Sequence, residues 1–448
     1  MATSRTPGHD PGRDRSPDVV VIGAGVIGSA LAYELSRRGL ATLNLDALPS
    51  AGYGSTSNSS AIVRFSYSTA AGVSMAWEGL HYWRDWPGYL GRPVDDPGLA
   101  RLVTCGMALL DTPSGRAATV MPLFDQLAIP YEHWDADELE RRLPLVDARV
   151  MGPPAPVDSE DFWAEPGERL AGAVWMPDAG YVDDPMLATR NLQHAAERLG
   201  ARFRFGTRVV GVETGGGRVS GVRLDDGHVV QAPVVVNAAG PDSGRVNELA
   251  GLAGTMAIGT RPMRQEVHHL PSPVGPDGHR LDYLLADDDT GIYSRPEAGT
   301  MVAVGSLEPA CDELEWLDDP DEYQPTVTRA GWERQTLRLA RRVPELRIPN
   351  KPLGIVGIYD VADDWIPIYD RTDLDGFYVA IGTSGNQFKN APFAAHAMAE
   401  LVVAVEAGRD HEADPVVVHG PYTGAEFDLG FFSRNREINR ASSFSVSG

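Results

Sequence analysis

Gly23, Gly25 and Gly28 stand at the spacing of a dinucleotide-binding turn, inside the run VVVIGAGVIGSALAYELSRRG from Val19 to Gly39. The first permits a tight turn, the second lets backbone approach a pyrophosphate, and the third lets a helix lie close against a strand. Gly23, Ala24, Gly25, Val26, Ile27 and Gly28 are therefore a candidate phosphate cradle. Asp46 closes the run LATLNLDA, 18 residues beyond Gly28 and beside Ala47, where a carboxylate accepts hydrogen bonds from a ribose. An acid there disfavours a 2′-phosphate, which an arginine would serve. Turn and acid suit FAD and NAD equally.

A second stretch, SGNQFKNAP, has chemistry of its own. Asn390 is placed as an N-cap and Pro392 in the first turn of a helix running to about Ala407. Free N–H groups and the positive end of that helix stabilise negative charge. Lys389 sits at the same end, where its own charge opposes the dipole. The chain has only two lysines, Lys351 and Lys389, among 39 basic residues. A flexible ammonium kept where arginine is otherwise used points to an anionic ligand.

The elements that must position these residues belong to a large globular protein. A chain of 448 residues has room for two or three compact units and a sizeable cofactor. A hydrophobic fraction of 43% with 23% charged residues is that of a globular chain, and no apolar run reaches the roughly 18 residues of a membrane span. A formal charge of −23 repels phosphate backbones and argues against a nucleic-acid partner. Residues 1–17 carry arginine without an apolar core, so they read as a disordered leader on a cytoplasmic protein. Cys105 and Cys311 are too few for a disulfide framework or a zinc site and read as buried apolar residues; no metal is expected.

Along the chain, MAWEGLHYWRDW and DADELERRL carry helical spacing, so Met75 to about Val150 is expected to form helices outside the nucleotide core. DPMLATRNLQHAAERLGA reads as a helix, ETGGGRVSGVRLDDGHVV as hairpins, and VVVNAAG as a buried strand meeting a glycine. Strands dominate from Arg261 to Ser306, and a helix pattern returns from Thr326 to Val343. The interleaving predicts an α/β protein of two units threaded through each other. The nucleotide unit takes residues 18–75, 155–257 and 352–408, the substrate unit 76–154 and 258–351, and a tail 409–448.

Taken together, VVVIGAGVIGSALAYELSRRG, GSTSNSSAIVR, AGYVDDPMLATRNLQHAAERLGARFRFGTRVVGV, VVVNAAG, IYSRPEAGTMVAVG and GTSGNQFKNAP resemble, in order and over most of the chain, the D-amino acid oxidase and sarcosine oxidase superfamily of flavoproteins. The resemblance implies a Rossmann-type FAD-binding domain interleaved with a sheet-rich substrate domain, and resident FAD with its ring at their boundary. It implies that Ser55, Ser60, Ala61 and Ile62 line pyrophosphate and flavin. Val209, Ala239, Gly240, Gly385, Asn386 and Gln387 fall at cofactor-facing places. Arg64 and Lys389 match positions that grip a substrate carboxylate, and Tyr359 matches an aromatic at the substrate face. A surface arginine, a solvated lysine and a core tyrosine are the ordinary readings of these three. His268 and His269 alternate on a strand and read as structural.

Two departures matter. Relatives that bind flavin covalently use a cysteine where this chain has Gly357, so FAD is expected to be held without a bond. The lysine those enzymes place over the flavin to activate oxygen falls at Ala303, with Arg295 or the histidine pair as possible substitutes. The reaction implied is oxidation of the C–N bond of a carboxylate-bearing amine, a secondary, N-methyl or D-amino acid, by hydride transfer to flavin N5, with oxygen or another electron acceptor closing the cycle. Two rivals stay open. An NAD(P)H-using flavin monooxygenase would need a second nucleotide turn, and none follows a strand in this chain; a non-catalytic FAD-binding subunit leaves Arg64 and Lys389 without a role.

Overall fold

The computed structural model describes residues 16–275 and 278–448. The expected leader lies outside the described residues except for Ser16 and Pro17. Six strands form the nucleotide sheet in the order Ile368–Arg371, Phe377–Ile381, Val234–Asn237, Val19–Ile22, Thr42–Leu45, Arg202–Arg204. All neighbours run parallel except the edge pair Ile368–Arg371 with Phe377–Ile381. VVVI is apolar throughout because both of its faces are covered. Val19 and Val21 meet the helices Val26–Arg37 and Ala391–Glu406, whereas Val20 and Ile22 meet Val219 and Val222 of an antiparallel three-stranded sheet. Full burial of each such side chain contributes about 1.5–3 kcal/mol.

The second layer is a nine-stranded sheet. Its order is Glu315–Trp316, Thr260–Pro271, Met301–Ser306, Ile292–Glu297, Leu284–Asp287, Met107–Asp111, Gly172–Met176, Glu132–Asp135, and Gly354–Ala362 also pairs with Thr260–Pro271. Ile292, Val302 and Val304 point to one face, where Trp332 and Leu339 of the helix Arg329–Arg342 cover them. Their neighbour Tyr293 points the other way, into an apolar cluster with Met263, Leu307, Trp365 and Val446. That period of two leaves one face for a core and one for a site.

Several expectations need correction. Gly172–Met176 and Gly354–Ala362, assigned above to the nucleotide unit, hydrogen-bond into the large sheet. The segment expected to be helical up to Val150 holds the strands Met107–Asp111 and Glu132–Asp135 beside the helices Ala70–Arg84, Arg116–Gln126 and Ala136–Arg142. A strand's partners are set by tertiary contacts that its own residues do not name. Residues 409–448 are packed rather than loose: Phe427, Leu429 and Phe432 join the main core, and buried Arg434 pairs with buried Asp370 at 3.1 Å. Cys105 and Cys311 are half-buried, not core. Among the described residues no helix is long and apolar enough to cross a membrane, and no group of three His, Cys, Asp or Glu could hold a metal.

Candidate active site

The glycine turn is built by close approach. Gly23 has φ +111°, and a Cβ there would lie 2.3 Å from the Ala238 carbonyl oxygen; one at Gly28 would lie 2.3 Å from that of Gly23. These two glycines bring the start of the helix Val26–Arg37 against the strand ends. Gly25 differs: a Cβ there would meet only Thr56 Oγ1, at 3.2 Å, and its surface opens into a cavity. Val26 N–H donates to the same Thr56 hydroxyl at 3.1 Å. Asp46 accepts from Ala24 N–H at 2.7 Å and from Leu48 N–H at 2.8 Å, and burial raises its carboxyl above the usual range. The strand that starts at Val209 is drawn to this corner where Thr207 N–H donates to the Asp46 carbonyl at 2.9 Å. Ala239 and Gly240 end the neighbouring strand, with Ala239 N–H on Asn237 Oδ1.

One cavity of about 1430 Å³, its open mouth included, runs from Gly25, Val26 and Ile27 past Ser55, Ser60, Ala61, Ile62 and Gly240 to Arg64, Gly357, Tyr359 and Lys389. A phosphate cradle lies at one end, an apolar slot with Ile62, Val267, Leu284 and Ala286 lies along it, and cations close the other end. That sequence of environments fits a dinucleotide carrying a flat apolar ring. Gly357 leaves room on the slot, since a Cβ there would make only a 3.4 Å contact with Asn58. Gly385 is required for closeness, because a Cβ would lie 2.4 Å from the Tyr359 ring.

Lys389 follows the left-handed Gly385 and sits in the turn Phe388–Asn390 before the helix Ala391–Glu406. The helix Ala70–Arg84 fixes its backbone: Trp83 Nε1 donates to the Lys389 carbonyl at 2.8 Å, and Gly79 lies too close to that oxygen for a side chain. Lys389 Nζ donates to Asn386 O at 2.7 Å, and Tyr67 OH donates to the same oxygen at 2.7 Å. Gln387 accepts from Tyr369 OH and Asn390 Nδ2. Asn390 occupies the expected N-cap position, but its side chain makes no capping hydrogen bond and its amide donates to Gln387 instead.

Arg64 reaches the same chamber. Its guanidinium lies 4.6 Å from the Tyr67 ring centroid and Lys389 Nζ lies 4.9 Å from it. Arg64 donates to the carbonyls of Ser66 at 2.9 Å and Val446 at 2.6 Å. Among the described residues, neither touches a carboxylate. Burial lowers Arg64 to about 10, and burial together with the nearby Arg64 charge lowers Lys389 well below its usual range. Two buried basic groups thus face one aromatic ring, each disfavoured in its charged form by burial.

Sequence reasoning missed Tyr293, Asp360 and Val446, which line the cavity, and Glu308, which bonds Val446 without lining it. Tyr293 OH shares a 3.1 Å hydrogen bond with Ser60 Oγ. Burial pushes Glu308 up to about 8; its oxygens accept from Gln265 Nε2 at 3.1 Å and Val446 N–H at 2.8 Å. Burial pushes Asp360 up to about 7 while it accepts from Gly382 N–H at 2.6 Å. Ser55 departs from a purely cofactor-facing role, because its hydroxyl donates to Ile358 O at 2.7 Å and ties the loop to the strand. Tyr67 stands three residues beyond Arg64 in IVRFSYS, a local signal that was available; Glu308 and Val446 had none.

No cysteine lines the cavity among the described residues. Acid or heat is therefore expected to release all flavin from the polypeptide. Flavin fluorescence staying with the denatured chain on a gel would contradict this.

The sequence profile of the family described as "DAO: FAD dependent oxidoreductase" matches residues 18–401. The chain is 26% identical over 429 residues to the FAD-dependent oxidoreductase domain-containing protein 1 of Bos taurus, covering 86% of this chain and 81% of that one. It is 25% identical over 395 residues to sarcosine oxidase subunit beta of Rhodobacter capsulatus, covering 86% and 84%. The solved L-proline dehydrogenase from P. horikoshii superposes with a TM-score of 0.72 at 19% identity, covering 94% and 97%, and so shares the fold. A glycine turn with its acid, a ring-sized slot and a family match over most of the length agree: this chain belongs to the DAO family of FAD-dependent oxidoreductases.

Proposed function

We propose that the protein oxidises the C–N bond of an amine that carries a carboxylate, with secondary and N-methyl amino acids as the preferred class. One observation carries this reading: Arg64 and Lys389 line the same cofactor cavity, both buried, and among the described residues each bonds backbone carbonyls and no carboxylate. Similarity to a sarcosine oxidase subunit supports the N-methyl preference, since sarcosine is an N-methyl amino acid. FAD, when bound, accepts the hydride at N5. The chain's own part is positional. Arg64 and Lys389 hold the carboxylate so that the C–H beside nitrogen faces the ring, and such placement is worth several kcal/mol of barrier. Tyr293 and Tyr359 wall the chamber. The amine must arrive neutral so that its lone pair assists, and water then hydrolyses the imine. The test is an anaerobic screen of amines and amino acids on the flavin-loaded protein. Bleaching of the flavin by carboxylate-bearing secondary amines is expected; bleaching by NADPH alone, or by no amine, overturns the reading.

Proton linkage gives a second test. Lys389 binds an anion only when charged, and its environment lowers its pKa. Affinity for a simple carboxylate is therefore expected to be full at low pH and to fall as pH rises through a point well below an ordinary lysine's. Arg64 stays charged to about 10 and retains part of the binding. Acetate titrations followed by flavin absorbance should show that ionisation in the natural chain and lose it in Lys389→Met.

A further inference from the structure

Residues 442–448 enter the chamber from the far end of the sequence. Val446 lines the cavity, and its side chain packs with Met263, Tyr293, Leu307 and Trp365. Its carbonyl takes the Arg64 Nη2 hydrogen bond at 2.6 Å, and its N–H donates to Glu308 at 2.8 Å. Two residues on, Gly448 O accepts from Ser68 N–H at 3.0 Å. The peptide oxygen of Val446 thus stands where a carboxylate oxygen would meet Arg64.

We infer that residues 442–448 form a strap that is displaced by the substrate carboxylate, so that the enzyme's selectivity for carboxylate-bearing amines is set by competition at Arg64. The inference rests on the function proposed above. A neutral carbonyl is the weaker partner for a guanidinium, and a carboxylate forms the charge-assisted, two-pronged pair. Taking Arg64 away leaves Val446 and Gly448 held to distant segments by the bonds to Glu308 and Ser68. The docked strap is also incompletely satisfied: the hydroxyl of its Ser447 is buried without a protein partner, as are those of Ser66 and Ser68 on the segment whose Ser68 N–H it meets. An uncharged amine has no group with which to compete. By linkage, whatever favours the docked strap weakens the substrate, and the substrate loosens the strap by the same factor.

Hydrogen exchange on the intact, FAD-loaded protein tests this, with acetate as the carboxylate probe and acetamide as its uncharged counterpart. Saturating acetate, with binding confirmed by the flavin spectrum, is expected to speed exchange of the Val446 amide at least tenfold, and acetamide to leave it unchanged. In parallel, a chain ending at Ala441 is expected to bind acetate about three- to tenfold tighter. Acetate that binds while Val446 stays protected, or that binds no tighter to the shortened chain, overturns the strap and makes the segment a fixed wall; the function proposed above then stands. Acetate that binds neither protein overturns both, because Arg64 is then no carboxylate site. Should the shortened chain fail to fold, exchange in the intact protein decides alone.

Discussion

Lys389→Met is expected to keep FAD and to weaken carboxylate-bearing substrates by about 1.5–3 kcal/mol, roughly a 10- to 150-fold rise in KM. The side chain is buried, its Nζ donates to a single backbone oxygen, and it shares the Tyr67 ring with Arg64. Methionine fills nearly the same volume, so the lost term is electrostatic. Burial and the Arg64 charge disfavour the protonated form of Lys389, and an arriving anion offsets that by pairing with it. An analogue lacking the carboxylate should lose far less, because it never used the ammonium. Arg64→Met is a weaker test, since it also cuts the contacts to Ser66 and Val446. Equal losses for both substrates, or a variant that emerges without flavin, would remove Lys389 from the carboxylate site.

What the sequence made legible was local. The turn from Gly23 to Gly28, the strand ending at Asp46 and the loop before Ala391 each announce themselves within about ten residues, because glycine, proline and acid are placed there by backbone geometry. Lys389 had a local signal in its place before a helix, whereas Arg64 was named only through the family resemblance; both line the one cavity. The missing half of the chamber is contributed at long range. Glu308 meets Val446 across 138 positions, and Arg64 meets Val446 across 382. Gly172–Met176 and Gly354–Ala362 look like any buried strand, and only their partners decide which sheet they join. Asn390 does stand at the N-cap of the last long helix, but its side chain makes no capping bond and its amide donates to Gln387 three residues before it.

The reduced enzyme is expected to react with oxygen about 10²-fold more slowly than family members that carry a lysine over the flavin, and to prefer a dye or quinone acceptor. Electron transfer to oxygen develops negative charge, and a fixed cation at that point is worth roughly 10²–10³ in rate. The resemblance places that lysine at Ala303, and in the sheet Ala303 pairs with Arg295 on one side and His269 on the other. Neither neighbour supplies a free charge. Arg295 is ion-paired to Glu297 and lies over the Tyr181 ring at 4.5 Å, and it does not line the cavity. His269 is lowered by burial, which favours its neutral form near pH 7. Of the three basic residues that line the cavity, Arg116 is paired with Asp288 at 3.3 Å, and Arg64 and Lys389 are, in the role proposed for them, neutralised by the bound carboxylate. Stopped-flow mixing of substrate-reduced enzyme with rising oxygen measures the rate directly. Glu297→Gln should accelerate reoxidation by freeing Arg295, and leave flavin reduction by substrate unchanged. Reoxidation as fast as in the lysine-bearing oxidases would defeat the expectation, and Arg295→Met would then show whether the paired guanidinium is the source of that speed.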